Sequence, residues 1–577
     1  MENDRIRPPH DQPRELANQP MTGAKTPGLL GRMALSLAFG MAAAGAGAAE
    51  LVVAPHGDDA NPGTEQRPLA TLDGARSAVR RLLAGGERED IAVRFHGGIY
   101  SIFAPVVFGP EDSARGKQAI TYAASPGETP VFSGGRKIRG WQRKGAVWTA
   151  ELPEARDGKW VFRRLYVQEE RRTLARMPDE GDYFRMLAPG GDDPRGTLGF
   201  ARGNLRNWPG VAGANMVALI DWESCSIPLA KVDEAGGRAT LAGKAKFDLS
   251  AGRRYFLENL PEALDAPGEW YLDRAAGRLS YIPRAGEDLA KMEVVAPVAT
   301  RFLTITGDGP GGRPVRGLRF HGLHFRHADY LLGPKGHSDT QAAESVPGVV
   351  TFTDAVDCAF EEGEIAAIGT YAIEVGPGCT GLRIEKNEMR DLGAGGVKVR
   401  AGSSRTTIHN NFIHDVGSVF FGGVPVLVQD SGENIITHNE ICDTNWMGIG
   451  VGWSWGFQPT KAHHNRVEHN YLHHLGRGVL TDIGAIYTLG ISTGTVIRHN
   501  LIHHVWDDAG GYLASGIYPD EGSSGLLIEN NVVYQTASGG LTVHYGRDNI
   551  VRNNIFAFGR SAQLKHKKTK YNTNRKT

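Results

Sequence analysis

The sequence predicts an all-β fold, a parallel β-helix with an N-terminal capping helix and an inserted antiparallel β-domain. Three observations predict it. Asparagine recurs inside short apolar segments at Asn387, Asn411, Asn439, Asn470, Asn500, Asn531 and Asn554, at intervals of 24, 28, 31, 30, 31 and 23 residues. A repeat of that length marks a solenoid. Each segment alternates apolar and polar residues over only a few positions, which is the period of a strand. Glycine is abundant, at 76 of 577 residues, as a chain with several turns per coil requires. Asparagine suits the bends, because it tolerates the left-handed conformation and its amide can bond to an asparagine stacked above it.

The elements follow in order. Residues 1–49 read as a leader and signal peptide. Lys25 and Arg32 precede an apolar run over 33–44, and Ala46-Gly47-Ala48 fits a cleavage site. Met21 is a second candidate start. The run is too short to span a membrane, so the expected address is secreted or periplasmic, with no membrane partner after cleavage. Residues 50–135 carry the capping helix and the first coils. The helix is expected over 72–83, with Thr71 as N-cap, Gly85-Gly86 as its stop, and Leu72, Ala75, Val79, Leu82 and Leu83 facing the end of the solenoid. The coil rhythm is lost over 136–312, which reads as an inserted, mostly antiparallel β-domain. Within it, 270–273 and 279–282 are expected to form a hairpin. The main β-helix is expected over 313–564. Residues 565–577 form a basic tail with five lysines, against thirteen in the preceding 564 residues. No strand pattern continues there, so the coils are expected to fail after Phe558, leaving Ile555 and Phe556 uncovered.

Composition removes some function classes. Lys+Arg and Asp+Glu are both 64, so nothing marks a nucleic-acid surface. Cys225, Cys358, Cys379 and Cys442 are too few and scattered for a disulfide framework or zinc site, and read as small buried residues.

Candidate chemistry concentrates between Trp446 and Tyr545. Asp482, Asp520 and Glu521 interrupt otherwise ordinary coil segments. Two acids on one cleft suffice for glycoside hydrolysis: one protonates the leaving oxygen, and the other attacks the anomeric carbon or activates water. Trp446, Trp453, Trp455, Tyr487, Trp506, Tyr518 and Tyr545 are the candidate sugar-stacking surfaces. His544 stands beside the acidic coils as a substrate or proton-transfer residue. The pairs His473-His474 and His503-His504 repeat at coil phase and read as polar turns, not as metal ligands.

The segments LVVAPHGDDANPGTEQRPLATLDGARSAVR, RRLYVQEERRTLARMP, GIGVGWSWG, DIGAIYTLG, SGIYPDEGSSG and HYGRDNIVRNNIFAFG resemble secreted right-handed, pectate-lyase-like β-helix proteins. The chain is similar to glycoside hydrolase family 141 over nearly all of 50–563. That resemblance implies fucosidase- or xylanase-like activity on a plant or microbial polysaccharide, with Asp482 and Asp520 as the two acids. It implies no cofactor. A polysaccharide lyase on the same fold is the alternative enzyme class and would bring calcium; a non-catalytic carbohydrate-binding β-helix is the third reading.

Overall fold

The computed structural model describes residues 49–190, 193–508 and 513–566. The leader, the cleavage site and the Met21 start therefore lie outside the described residues, as does the tail beyond His566. Three parallel sheets of twelve, eleven and eleven strands run the length of a right-handed β-helix. Each coil passes through them in turn: Arg383–Glu385 in the first sheet, Glu388–Leu392 in the second, Val397–Val399 in the third. The inward side chains stack coil upon coil. In the third sheet Ile373, Val397, Val426, Ile449, Ile486 and Ile517 form one such column by strand register. All six are fully buried. Each contributes about 1.5–3 kcal/mol by leaving water.

The helix Leu72–Ala84 begins where expected. Its cap Thr71 accepts a hydrogen bond from Gly74 N, and Leu72, Ala75, Val79 and Leu83 join the solenoid core beside Leu51 and Val53. The asparagine column is a continuous hydrogen-bond ladder. Asn470 Nδ2 donates to Asn500 Oδ1 at 3.1 Å and to the Ile436 carbonyl at 2.9 Å, while its own Oδ1 accepts from Asn439 N and Nδ2. One detail differs from expectation. The left-handed residue at each bend is the one before the asparagine, for example His438, His469 and His499 at φ 58°, 55° and 55°. The asparagine is thus selected for its amide rather than its backbone. A second ladder, Asn434 to Asn465, turns the corner between the third and first sheets.

The insert leaves the solenoid near Gly135–Lys137 and returns after Val294–Pro297. It forms two sheets, almost wholly antiparallel, each with its own apolar core. The hairpin pairs Trp270 with Tyr281. The coil path resumes at Leu303–Thr306, which pairs with Val106–Phe108 and Gly348–Thr353, ten residues before the expected start at 313. That strand carries no asparagine bend, so the rhythm did not reveal it. At the other end, Leu564–His566 pairs with Leu541–Val543, correcting the expectation that strands stop after Phe558. Ladder bonds use backbone groups and accept a lysine on the outward side; Lys565 Nζ donates to Ser538 Oγ at 2.9 Å. On that coil Ile555 is exposed, while Phe556 packs against the core. All four cysteines are free and buried. Among the described residues, no helix is long and apolar enough to cross a membrane.

Candidate active site

The acids lie at opposite ends of one strand pair of the third sheet. Asp482 immediately precedes Ile483–Thr488, and Asp520 immediately follows Ala514–Pro519. The strands run in register, with Tyr487 beside Tyr518 and Thr488 beside Pro519. The two tyrosine rings meet edge to face, 5.4 Å apart. Between the acids, therefore, stand two phenols.

Asp520 is the most constrained group of the cluster. The residue is 7% exposed. Oδ2 accepts from the Tyr487 hydroxyl at 2.6 Å, and Oδ1 pairs with His544 Nδ1 at 2.6 Å. Burial alone would raise its pKa. Hydrogen bonds from His544, Tyr487 and Tyr518 outweigh burial and hold it below the usual carboxylate value. His544 is fixed in turn by its backbone N–H, which donates to the Pro519 carbonyl at 2.9 Å. Asp482 holds a left-handed backbone, φ 58°. Trp446 Nε1 donates to the carbonyls of Thr481 and Asp482, at 3.2 and 3.3 Å. The neighbouring Thr481 N–H donates to Asp221 O of the insert. Burial first, then the charges of both acids, raises the phenols of Tyr487 and Tyr518, so Asp482 and Asp520 act on one electrostatic environment.

Glu521 lies just past Asp520 and accepts from the Tyr545 hydroxyl at 3.3 Å. The loop after Ile449–Gly452 folds up over the following coils. It puts Trp453 against Tyr487 at 6.1 Å and Phe457 against Tyr545 at 5.8 Å. Trp455, on the same loop, is 47% exposed.

Five expected stacking surfaces need correction. Trp446 has no exposed surface and packs in the solenoid core, where its indole N–H ties down the Asp482 corner. Trp506 makes its ring contacts with His504 and Arg560, neither of them in the acid cluster. Trp453, 8% exposed, also packs in the solenoid core, and Tyr487 and Tyr518 are almost fully buried, so the tyrosine hydroxyls, not their faces, serve the site.

Sequence reasoning missed Gln341 and Trp222. The connection between His324–Ala328 and Gly348–Thr353 crosses the outer face of the third sheet. Tyr371 donates to Ala342 O at 2.6 Å, and Lys398 Nζ to Val346 O at 2.6 Å, pinning it there. This brings Gln341 into hydrogen bond with Tyr487. Because the Tyr487 proton is committed to Asp520, the Gln341 amide is the donor. Trp222 reaches the same connection from the insert, donating to Thr340 O at 3.0 Å. The only available signal was the break in coil rhythm over 329–347. Among the described residues, no group of three or more His, Cys, Asp or Glu side chains converges to hold a metal.

Comparison with known proteins places the fold. A family model described as "Right handed beta helix region" matches residues 348–490. No curated protein matches the sequence. Among solved structures, a glycoside hydrolase aligns over 89% of this chain and 96% of its own, at TM-score 0.75 and 23% identity. XylC, solved with xylose, aligns over 88% of this chain and 75% of its own, at TM-score 0.54 and 16% identity. At these identities the likeness is one of fold.

Proposed function

We propose that this chain is a glycoside hydrolase of the family 141 kind, fucosidase- or xylanase-like, cleaving plant or microbial polysaccharide with Asp482 and Asp520. The observation that carries the reading is the Asp520 carboxylate, buried yet held ionised by three hydrogen-bond donors. An ionised, oriented carboxylate is what attack on an anomeric carbon, or activation of water, requires. Asp482 is then the general acid, donating its proton to the leaving oxygen. Gln341 and His544 keep the Tyr487–Asp520 unit in place, and Trp455 and Phe457 offer exposed aromatic faces to the sugar. The two solved neighbours support a glycan-directed reading: one is a glycoside hydrolase, and the other was solved with xylose. The leader-like N-terminus supports action outside the cytoplasm, and the chemistry needs no cofactor.

The test is a screen of aryl fucosides, aryl xylosides, xylan and pectic fragments, scoring reducing ends and absorbance of unsaturated uronate together. Reducing ends without that absorbance, lost in Asp482→Asn and in Asp520→Asn, are expected. Absorbance from an unsaturated product would replace hydrolysis with a lyase reaction. Full activity in either variant would remove that acid from the mechanism and promote Glu521.

A further inference from the structure

The segment RRLYVQEERRTLARMP holds five arginines between Arg163 and Arg176, and none belongs to the acid cluster. It forms one wall of a cleft of about 690 Å³ between the insert and the corner where four successive coils pass from the second sheet to the third. That volume lies within the roughly 300–1,000 Å³ of small-ligand sites. Arg477 stands on the opposite wall, and Tyr183, Phe256, Phe420 and Phe421 supply apolar surface.

Some of these arginines have obvious counter-ions. Arg163 pairs with Glu258, Arg172 with Glu287 at 2.6 Å, and Arg171 with Asp391 at 2.6 Å. Arg164 and Arg176 have no carboxylate within ion-pair distance among the described residues; Asp329 and Glu258 act on Arg164, and Glu180, Glu258 and Glu269 on Arg176, only at longer range. Arg164 is 7% exposed, its Nε has no hydrogen-bond partner, and its one bond is from Nη1 to the Arg163 carbonyl. Burial pushes its pKa down, Asp329 pulls it back, and Arg171 and Arg163 push it down further. Arg176, 6% exposed, stacks over Phe256 at 3.7 Å and donates only to the carbonyls of Pro178 and Asp182. Arg171 keeps Nη1 buried without a partner. Arg477 has no ion pair among the described residues, although its charge reaches Asp415 in the same lining.

A guanidinium stays charged in a protein, and burying it without a directly bonded counter-ion is unfavourable. Two guanidiniums in one cleft with no directly bonded carboxylate, and further unused N–H donors beside them, offer more donors than the lining carboxylates Glu169, Glu180 and Asp415 take up. The fork of a guanidinium matches a carboxylate or sulfate, and the aromatic wall matches a sugar ring. We propose that this cleft binds a sugar carrying an oxyanion, a uronate or a sulfated residue, between Arg164, Arg176 and Arg477. The site is separate from Asp482 and Asp520, and its occupancy does not require that they hydrolyse anything.

Titration calorimetry on the full chain tests it, with trigalacturonate, a sulfated oligosaccharide of equal length, the neutral galactose trimer and inorganic sulfate as probes. One charged oligosaccharide is expected to bind at least tenfold more tightly than the neutral trimer and than sulfate alone; which one does so identifies the anion. Arg164→Met should weaken that binding at least tenfold while leaving Tm unchanged or raised, because it removes a buried charge that no carboxylate bonds directly. Arg477→Asn, on the exposed wall at a left-handed position that asparagine tolerates, should weaken binding several-fold without affecting folding. Equal binding of charged and neutral trimers would overturn the proposal. So would wild-type affinity in both variants, or a fall in Tm in Arg164→Met with affinity retained, which would make Arg164 a structural residue. If Arg164→Met does not fold, Arg477→Asn alone decides.

Discussion

His544 and Asp520 lie on successive coils, yet their side chains meet Nδ1 to Oδ1 at 2.6 Å. The donated proton keeps the carboxylate ionised, and the carboxylate fixes which ring nitrogen carries the proton. His544→Gln should therefore keep the fold but weaken control of Asp520, lowering kcat about 10–100-fold by loss of positioning. A pH–rate profile checks it. The acid limb should move to higher pH, because Asp520 loses the donor that contributes most to holding its pKa down. An unshifted limb would mean that another group sets it.

Tyr487→Phe removes the second donor, the hydroxyl on Oδ2. Asp520 has a folded pKa below its unfolded value. Its contribution to stability is thus present above the unfolded pKa, near 4, and is lost as pH falls through the folded one. Tyr487→Phe should shrink that contribution, so the Tm difference from wild type should be larger at pH 7 than at pH 3. Gln341 would lose its partner in the same variant, leaving a buried amide unsatisfied at a cost of about 1–3 kcal/mol.

The aromatic residues separate by role. Trp446→Ala opens a cavity in the core and should cost about 3–5 kcal/mol of stability, seen as a large fall in Tm. Trp455→Ala should leave Tm nearly unchanged, since the ring is exposed, and should raise KM for oligosaccharides. A stability loss at Trp455 would place it in packing instead.

These differences show what the sequence can carry. The asparagine spacing, the strand alternation and the Thr71 cap are local patterns, and each led to the observed element. The acids stood out because a carboxylate in a coil segment breaks the local pattern. Trp446 did not reveal its burial, because indoles serve cores and clefts alike and only register decides which. Gln341 meets Tyr487 across almost 150 positions, through a connection held down by Tyr371 and Lys398. Nothing in the spacing of those residues encodes that contact.

The asparagine ladder predicts a gradient of cost along the solenoid. Asn470→Ala deprives the Asn439 N–H and the Ile436 carbonyl of their partners in a dry interior, a loss of about 2–4 kcal/mol. Asn554 sits on the last described rung and is partly exposed, so water can replace its bonds; Asn554→Ala should cost about 1 kcal/mol. Denaturant unfolding of both variants measures the difference, and equal costs would show that the ladder is not the relevant unit.

The histidine stacks on the second sheet predict acid sensitivity. His503 lies 4.7 Å from the His504 ring and 5.5 Å from that of His473, and its Nδ1 is 2.6 Å from His504 Nδ1. That contact needs one nitrogen with a proton and one without, so it cannot survive two imidazolium rings. Burial first, then His504, His473 and His474, pushes the His503 pKa down to about 4. A folded pKa below the unfolded value of about 6.5 means that the unfolded chain binds the proton more readily. The fold carries no penalty above pH 6.5 and loses stability progressively as pH falls from 6.5 toward 4. Wild type should therefore show Tm falling over that window. Replacing both residues, His503→Gln with His504→Gln, should flatten the fall without lowering Tm at pH 7.5 by more than a few degrees. A double variant with the wild-type slope would mean that carboxylates, not this stack, govern the acid response.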